Sequence, residues 1–188
     1  MARPRSDDKR DAIMAAAIRV IASQGLSAPT ALIAREAGVS NGSLFTYFET
    51  KADLLNRLYL ELKTGMAAAA LEGLPAGAEL RKQFFHVWSN WVAWAVSNPD
   101  KRRALAQLGV SDEITPASRA AGHEAMADIA ELMERGRANG PMRKAPLAFV
   151  AAIMNSLAEA TMDFMVQDPT NADKHSKVGF EALWRVIA

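Results

Sequence analysis

Apolar residues recur every three or four positions along almost the whole chain, and this spacing predicts an all-α fold. Ala and Leu dominate, whereas β-branched residues are scattered, so the pattern gives little support for strands. In the first third of the chain we expect helices that begin near Asp7, Pro29, Ser40 and Lys51. Further helical segments are expected at about 81–97, 100–108, 116–138 and 146–167, with a last one that reaches Ile187.

Gly and Pro cluster at residues 72–80, which marks a connection between two domains. We therefore expect a helix-turn-helix domain of three helices at 1–50 and a larger helical domain at 73–188. The fourth helix, at about 51–72, would connect them.

The stretch from Ala37 to Lys51 predicts the turn and second helix of a helix-turn-helix. Gly38 can adopt the left-handed conformation that ends one helix, and Ser40 can cap the next. The exposed side of this next helix would carry short groups that fit a DNA major groove. The expected shared core consists of Ile33, Ala34, Ala37, Val39, Leu44, Tyr47 and Phe48, and the expected exposed set of Asn41, Gly42, Ser43, Phe45 and Thr46.

The segment from Leu26 to Leu55 resembles the DNA-binding domain of the TetR family of transcriptional regulators. Its matching motifs are Ile-Ala, Ala-Gly-Val-Ser, Gly-Ser-Leu, Tyr-Phe and a Lys followed by Leu-Leu, spread over thirty residues. The resemblance implies a ligand-responsive repressor, dimeric and cytoplasmic, that occupies double-stranded operator DNA until a small effector releases it.

The resemblance also implies roles for single residues. Carried over by position, Thr30, Tyr47 and Lys51 would contact phosphates, which explains how a recognition helix without Lys or Arg could be held on DNA. A basic arm would follow the backbone or enter the minor groove. The expected DNA-binding residues are Arg3, Arg5, Thr30, Ser40, Asn41, Gly42, Ser43, Phe45, Thr46, Tyr47 and Lys51, and Lys9 and Arg10 would extend the arm.

Asn41 could pair with an adenine edge, whereas Ser43 and Thr46 could contact base edges or a thymine methyl. Two positions depart from the family pattern. Phe45 stands where a Tyr is usual, so only packing on a methyl or sugar remains for it. Ala31 stands where a polar or basic residue is common, so the second helix would contribute less to base reading.

The chain has almost no net charge, so any basic surface that binds DNA must be confined to one part of it. The 188 residues are 50% apolar and carry a formal net charge of only +1. The first 63 residues hold nine Lys/Arg against seven Asp/Glu, a charge of +2. The chain has no Cys, its three His lack metal-ligand spacing, and no nucleophile is paired with a base. We therefore expect no enzyme activity, metal or cofactor.

Two other functions remain open at this point. The chain could be a helical small-molecule-binding protein or enzyme whose helix-turn-helix is only structural. It could also be an activator or an architectural DNA binder.

The second domain offers aromatic and Met side chains for a small, mostly hydrophobic effector. Trp88 and Trp91 could equally be core residues. The expected ligand-binding residues are Phe84, Trp88, Trp91, His123, Met126, Met133, Phe149 and Met154, with Phe85, Asn155 and Asp163 as further candidates.

The helix at 146–167 is apolar nearly all round, so both of its sides must be covered. We expect one side to face its own core and the other, with the last helix, to form a homodimer through 146–188. A two-fold dimer would place its recognition helices about one DNA turn, roughly 34–36 Å, apart on a palindrome. No run approaches the roughly 20 uninterrupted apolar residues of a membrane span, so a soluble, cytoplasmic protein without membrane contact is expected.

Overall fold

A computed structural model of the chain describes residues 4–188, with side chains from Asp7 onward. These residues form ten α-helices, one short 3-10 helix at Pro169–Asn171 and no strand, which confirms the all-α prediction. The α-helices are α1 Pro4–Gln24, α2 Thr30–Glu36, α3 Asn41–Tyr47, α4 Lys51–Leu71, α5 Leu80–Ser97, α6 Pro99–Gly109, α7 Pro116–Glu124, α8 Ala127–Arg137, α9 Leu147–Gln167 and α10 Ala172–Ile187.

The helices form two compact units. The first unit runs to Thr64 and takes in Asn98–Glu124, and the second consists of Gly65–Ser97 and Ala125–Ala188. Helices α6 and α7 thus belong to the unit that contains α1 to α3. The division falls within α4, which contributes residues to both units.

The first unit has an aliphatic core. Ile13 and Ile21 of α1, Leu44 of α3 and Leu58 of α4 are almost completely buried there. Leu108 of α6 completes this cluster of small and branched side chains. Because α1 and α4 are each 21 residues long, they offer extended apolar stripes on which the short α2 and α3 can pack.

The second unit has a core of aromatic and Met side chains. The indole of Trp88 is 1% exposed, and its Nε1 donates a hydrogen bond to the backbone oxygen of Ser176, at 3.0 Å. The ring of Trp91 meets that of Trp88 edge-on. Phe180 of α10 stacks on Trp184 and meets Phe85 edge-on. Helices α5 and α10 are therefore joined by large side chains.

One helix expected at 116–138 is two helices. Helix α7 ends at Glu124 and α8 begins at Ala127, so the expectation of a single helix is wrong. The physical reason is the division of the chain: α7 packs in the first unit, where Gly122 meets the ring of Tyr59, and α8 packs in the second. The break between α7 and α8 thus coincides with the boundary between the two units.

Helices α9 and α10 leave apolar side chains on the surface of the second unit. Phe149 and Phe164 of α9 are 55% and 58% exposed, and Val178 of α10 is 61% exposed. Among the described helices, α9 alone is long and apolar enough to cross a membrane by length and composition. A helix that is buried in a soluble protein passes the same test, so this is weak evidence for a membrane span.

Candidate nucleic-acid interface

The turn after α2 is built from backbone hydrogen bonds around a glycine. Gly38 has φ +69°, and its N–H donates to the oxygen of Arg35 at 3.1 Å. The N–H of Val39 donates to the oxygen of Ala34 at 3.0 Å, which completes a Schellman motif. Nothing lies within 4 Å of the position that a Cβ would take at Gly38. Glycine is therefore required here by the backbone conformation and not by lack of space.

The next helix starts on a serine cap. The Oγ of Ser40 accepts a hydrogen bond from the N–H of Ser43 at 3.1 Å, as the sequence predicts. The hydroxyl proton of Ser40 remains available to an outside acceptor, because the cap uses only the oxygen as acceptor. The start of α3 is thus fixed without closing its exposed side.

Helix α3 has one buried and one exposed side. Leu44 and the following Phe48 are 0% exposed and anchor it in the core of the first unit. Phe45 is 41% exposed. Asn41, Gly42 and Thr46 are also exposed and Ser43 is half-buried, so the predicted reading face is open to solvent.

The hydroxyl of Thr46 donates to the backbone oxygen of Gly42 at 3.3 Å. Its lone pairs and methyl group therefore remain for an outside contact.

The predicted phosphate contacts lie in the same unit. Thr30 is the first residue of α2, Tyr47 the last of α3 and Lys51 the first of α4. All three side chains are half-buried. Lys51 makes no ion pair with any residue in the described part of the chain, so its ammonium group has no internal competitor for a phosphate.

The predicted basic arm is only partly covered by the structure. Arg3 lies outside the described residues, and so does the side chain of Arg5. Lys9 and Arg10 lie within α1, so they are not part of an extended arm. Arg10 contacts Asp11 at 3.0 Å and Glu61 at 3.2 Å, so its guanidinium group is engaged in ion pairs on the surface of the first unit.

The residues predicted for the effector differ in burial and are divided between the two units. Phe84, Trp88, Met133 and Met154 are buried in the core of the second unit. Trp91 and Met126 are half-buried against the same core. Phe149 is exposed on α9, and His123 is exposed on α7 of the first unit.

The second unit contains a cavity of about 370 Å³ that sequence reasoning missed. Its lining is Leu71, Leu74, Gln83, Asp128, Glu131, Leu132 and Arg135. The amide of Gln83 is 6% exposed and donates to the backbone oxygen of Ala78 at 2.7 Å. The available signal was the 128, 131, 135 spacing, which places three charged groups on one face of a helix.

Burial lowers the pKa of Lys63 on α4 below its ordinary value of 10.5. Within residues 4–188, no three His, Asp or Glu side chains are placed to hold a metal ion.

Helix α3 is buried on one side and presents short polar groups on the other, follows a tight turn and is flanked by a lysine. These features define a helix-turn-helix DNA-binding domain. With a second helical unit in the same chain, this domain is typical of the class of transcription regulators.

Comparison with known proteins narrows the class to a family. Residues 13–58 match the family described as "Bacterial regulatory proteins, tetR family". The structure of a putative tetR family transcription regulator from Shewanella sp. PV-4 is 28% identical, with a TM-score of 0.83 over 94% of this chain and 96% of that chain. Residues 13–58 thus match a domain of the tetR family, and the chain as a whole has the fold of TetR-family transcription regulators, a family of regulators and not of enzymes.

Two more distant structures share the fold. A TetR family transcription regulator from Marinobacter aquaeolei VT8 is 24% identical, with a TM-score of 0.80 over 97% of this chain and 96% of that chain. The regulator FadR from Bacillus subtilis, solved in complex with stearoyl-CoA, is 18% identical, with a TM-score of 0.69 over 95% of this chain and 99% of that chain.

Proposed function

We propose that the protein is a cytoplasmic, homodimeric transcriptional repressor that binds a palindromic operator and is released by a small effector. The observation that carries this proposal is the open face of α3. Asn41, Thr46 and Phe45 are exposed on a helix whose other side is fully buried. A surface of short polar groups on a firmly packed helix is suited to read base edges in a major groove.

In this proposal Asn41 reads an adenine edge, and Ser43 and Thr46 contact base edges or a thymine methyl. Phe45 packs on a methyl group or a sugar. The phosphates bind to Thr30, Tyr47 and Lys51, which lie on three different helices around the turn. Because these contacts surround α3, the recognition helix needs no charge of its own.

The apolar side chains on α9 and α10 support a homodimer. Phe149, Phe164 and Val178 are each more than half exposed. Exposed aromatic and branched side chains on two neighbouring helices are typical of a surface that a partner covers. A second copy that covers them through a two-fold axis presents two recognition helices to two half-sites.

The effector is proposed to bind in the second unit. The cavity of about 370 Å³ supports a ligand site there, and the Met residues of the adjoining core can change rotamer to fit a guest. Three leucines give this cavity apolar walls, and Gln83, Asp128 and Glu131 can fix the polar end of a ligand. An effector releases DNA only if it binds the DNA-incompetent state more tightly.

The first experiment recovers the operator by selecting bound fragments of genomic DNA. Affinity for the recovered duplex is then measured against salt concentration for the wild type and for Lys51→Ala and Tyr47→Phe. Each lost lysine–phosphate contact should lower the slope of log affinity against log salt by about 0.9. Tyr47→Phe should lower affinity on all duplexes without changing the slope, because the hydroxyl is neutral.

Lys82→Ala is the matched control, since Lys82 is an exposed lysine on α5 of the second unit. An equal effect of Lys51→Ala and Lys82→Ala would contradict the proposed interface. A wild type that enriches no genomic fragment would contradict the proposed function itself.

A further inference from the structure

Two hydrogen bonds of Asp53 close the turn between α3 and α4. The N–H of Asp53 donates to the Oγ1 of Thr50 at 3.0 Å. In return, the Oδ2 of Asp53 accepts from the N–H of Glu49 at 3.1 Å. The arrangement is related to a capping box but differs from it, because the carboxylate accepts from the residue before the cap and not from the cap residue itself. It fixes the backbone immediately before α4.

The second carboxylate oxygen of Asp53 is also used. The Nε of Arg57 donates to its Oδ1 at 2.8 Å, one helical turn further along α4. Asp53 is the less exposed of the two side chains, at 26%, whereas Arg57 is 51% exposed. Both oxygens of Asp53 are therefore occupied, one by the turn and the other by the helix.

Arg57 in turn contacts the residue that ends α3. The carbon of its guanidinium group lies 5.7 Å from the centre of the Phe48 ring, in a cation–π arrangement. Phe48 is 0% exposed, and its N–H donates to the oxygen of Leu44 at 3.1 Å. The chain of contacts from Phe48 through Arg57 and Asp53 to Glu49 thus closes a ring around the turn.

This ring lies between two of the proposed phosphate contacts. Tyr47 directly precedes the turn and Lys51 directly follows it. A lysine in the first turn of a helix is disfavoured by the helix dipole, and a carboxylate in the same turn offsets that repulsion. The ring can therefore set both the backbone and the local electrostatics of the side chains that would hold DNA.

We propose that Asp53 and Arg57 are positioning residues for DNA binding: they lock the turn between α3 and α4 so that Tyr47 and Lys51 meet two phosphates without rearrangement. The inference rests on the proposed DNA-binding function. It predicts that the loss of the Asp53 carboxylate weakens DNA binding. Charge alone predicts the opposite, because the removal of an acidic group near DNA should tighten binding.

The test compares full-length variants on a duplex of about 30 base pairs, enough for two half-sites, that carries the recovered operator. Asp53→Ala should weaken binding about five- to tenfold and lower the salt slope by about 0.9 per protomer, because Lys51 no longer meets its phosphate. Asp53→Glu should restore most of the affinity, since Glu keeps the carboxylate and is a usual residue at the third position of a helix after a Thr cap.

Asp100→Ala is the matched control. Asp100 also lies in the first turn of a helix of the first unit, and it pairs with Arg103 at 3.7 Å. Its loss removes the same charge and the same kind of dipole contact, so affinity should stay unchanged or rise slightly. A loss of affinity for Asp100→Ala equal to that for Asp53→Ala would overturn the inference.

A double-mutant cycle separates positioning from general destabilisation. If Asp53 acts through Lys51, Asp53→Ala should change affinity less than about twofold in a Lys51→Ala background. An undiminished effect in that background would overturn the inference. All binding is measured at a temperature where the helical circular dichroism of each variant equals that of the wild type.

If Asp53→Ala does not fold, Arg57→Lys tests the inference in its place. This variant keeps the positive charge but loses the planar guanidinium group that contacts Asp53 and Phe48. The inference expects a weaker operator affinity and a lower salt slope for this variant, and unchanged values would overturn it. A wild type that binds no duplex marks the failure of the proposed function. Tight wild-type binding with unaffected variants marks the failure of the inference alone.

Discussion

The turns and helix caps of the segment from Thr30 to Arg57 and the core of the second unit are held over very different sequence distances. In the first region the turn and cap hydrogen bonds join residues no more than five positions apart, as between Val39 and Ala34. In the second unit, Trp88 bonds to Ser176, and Arg81 pairs with Glu181. Short-range contacts fix the geometry of an interface, whereas long-range contacts hold a core together.

The two regions also expose different surfaces. The first presents small polar groups on α3, and the second presents phenylalanines and valines on α9 and α10. Small polar groups suit a hydrated, charged partner such as DNA, and a dry apolar face suits another protein. Under the proposed function, one chain thus divides recognition between a locally built surface for DNA and a surface for a second copy that depends on long-range packing.

The strongest test of this comparison is Phe164→Glu. Two carboxylates would be buried in a two-fold dimer, and the dissociation constant of the dimer should rise by about a hundredfold or more. Sedimentation velocity at micromolar protein concentration should then show monomers.

The control is Val110→Glu, which places the same charge on a valine that is 85% exposed in the first unit. It should leave the dimer intact. Equal sedimentation of the Phe164→Glu variant and the wild type would show that the apolar face is not the association surface.

Next in size is Gly179→Ala, which tests the long-range packing of the second unit. A Cβ at Gly179 of α10 would collide with the Oγ1 of Thr161 on α9 and lie 3.0 Å from the Trp88 ring. We expect a loss of about 2–3 kcal/mol in the free energy of unfolding, measured by denaturant titration.

Gly65→Ala is the matched control, because Gly65 lies in helix α4 with nothing within 4 Å of an added Cβ. It should stabilise the protein by about 0.5–1 kcal/mol. A gain from both substitutions would mean that α9 and α10 are not closely packed at Gly179.

Gly38→Ala tests the locally built turn and should have a smaller effect. Its space is open, so the expected loss of about 1–2 kcal/mol comes only from the positive φ. The loss should be accompanied by weaker operator binding, because the turn orients α3. Gly77→Ala, at a glycine with open space and no positive φ, should be close to neutral, and equal losses for the two would remove the backbone argument.

The smallest expected effect concerns the connection between α9 and α10. Hydrogen bonds from His175 and then Asn171 hold the pKa of Asp168 below its ordinary value of 3.8. The carboxylate therefore stabilises the fold above that value, and this contribution is lost as the pH falls through the lowered pKa. Asp168→Asn should lower the Tm slightly at pH 7, and this difference should be smaller at a pH well below 3.8.

The exposed Asp112 of the first unit provides the control variant Asp112→Asn, whose Tm should match the wild type at both pH values. A Tm difference for Asp168→Asn that grew towards low pH would have the wrong sign for this account.

The reading surface was largely predictable from the sequence. Its features act over one or two helical turns: Gly38, Ser40 and the alternation of Leu44 and Phe48 with polar neighbours. Their effect can therefore be inferred from neighbouring residues in the sequence. The start of α4 was also readable, because Thr50 and Asp53 have the spacing of a capping box. Only the contact of Arg57 with Phe48 needed the fold.

Two features of the second unit were not predictable in the same way: the cavity, and the hydrogen bonds of Arg137 to the connection between α8 and α9. Arg137 is 8% exposed, binds Glu134 through two hydrogen bonds, and donates to the oxygens of Met142 and Ala145. Nothing in the sequence distinguishes this arginine from a surface one. Its burial depends on how the connection between α8 and α9 folds back.

The sequence by itself determined the helices, the turn and the exposed face of α3, because helical periodicity and capping are short-range effects. The tertiary structure alone decided that α6 and α7 join the first unit, that 116–138 breaks into two helices and that Phe84 and Met133 are core. Burial depends on which distant residues meet, and no local pattern carries that information.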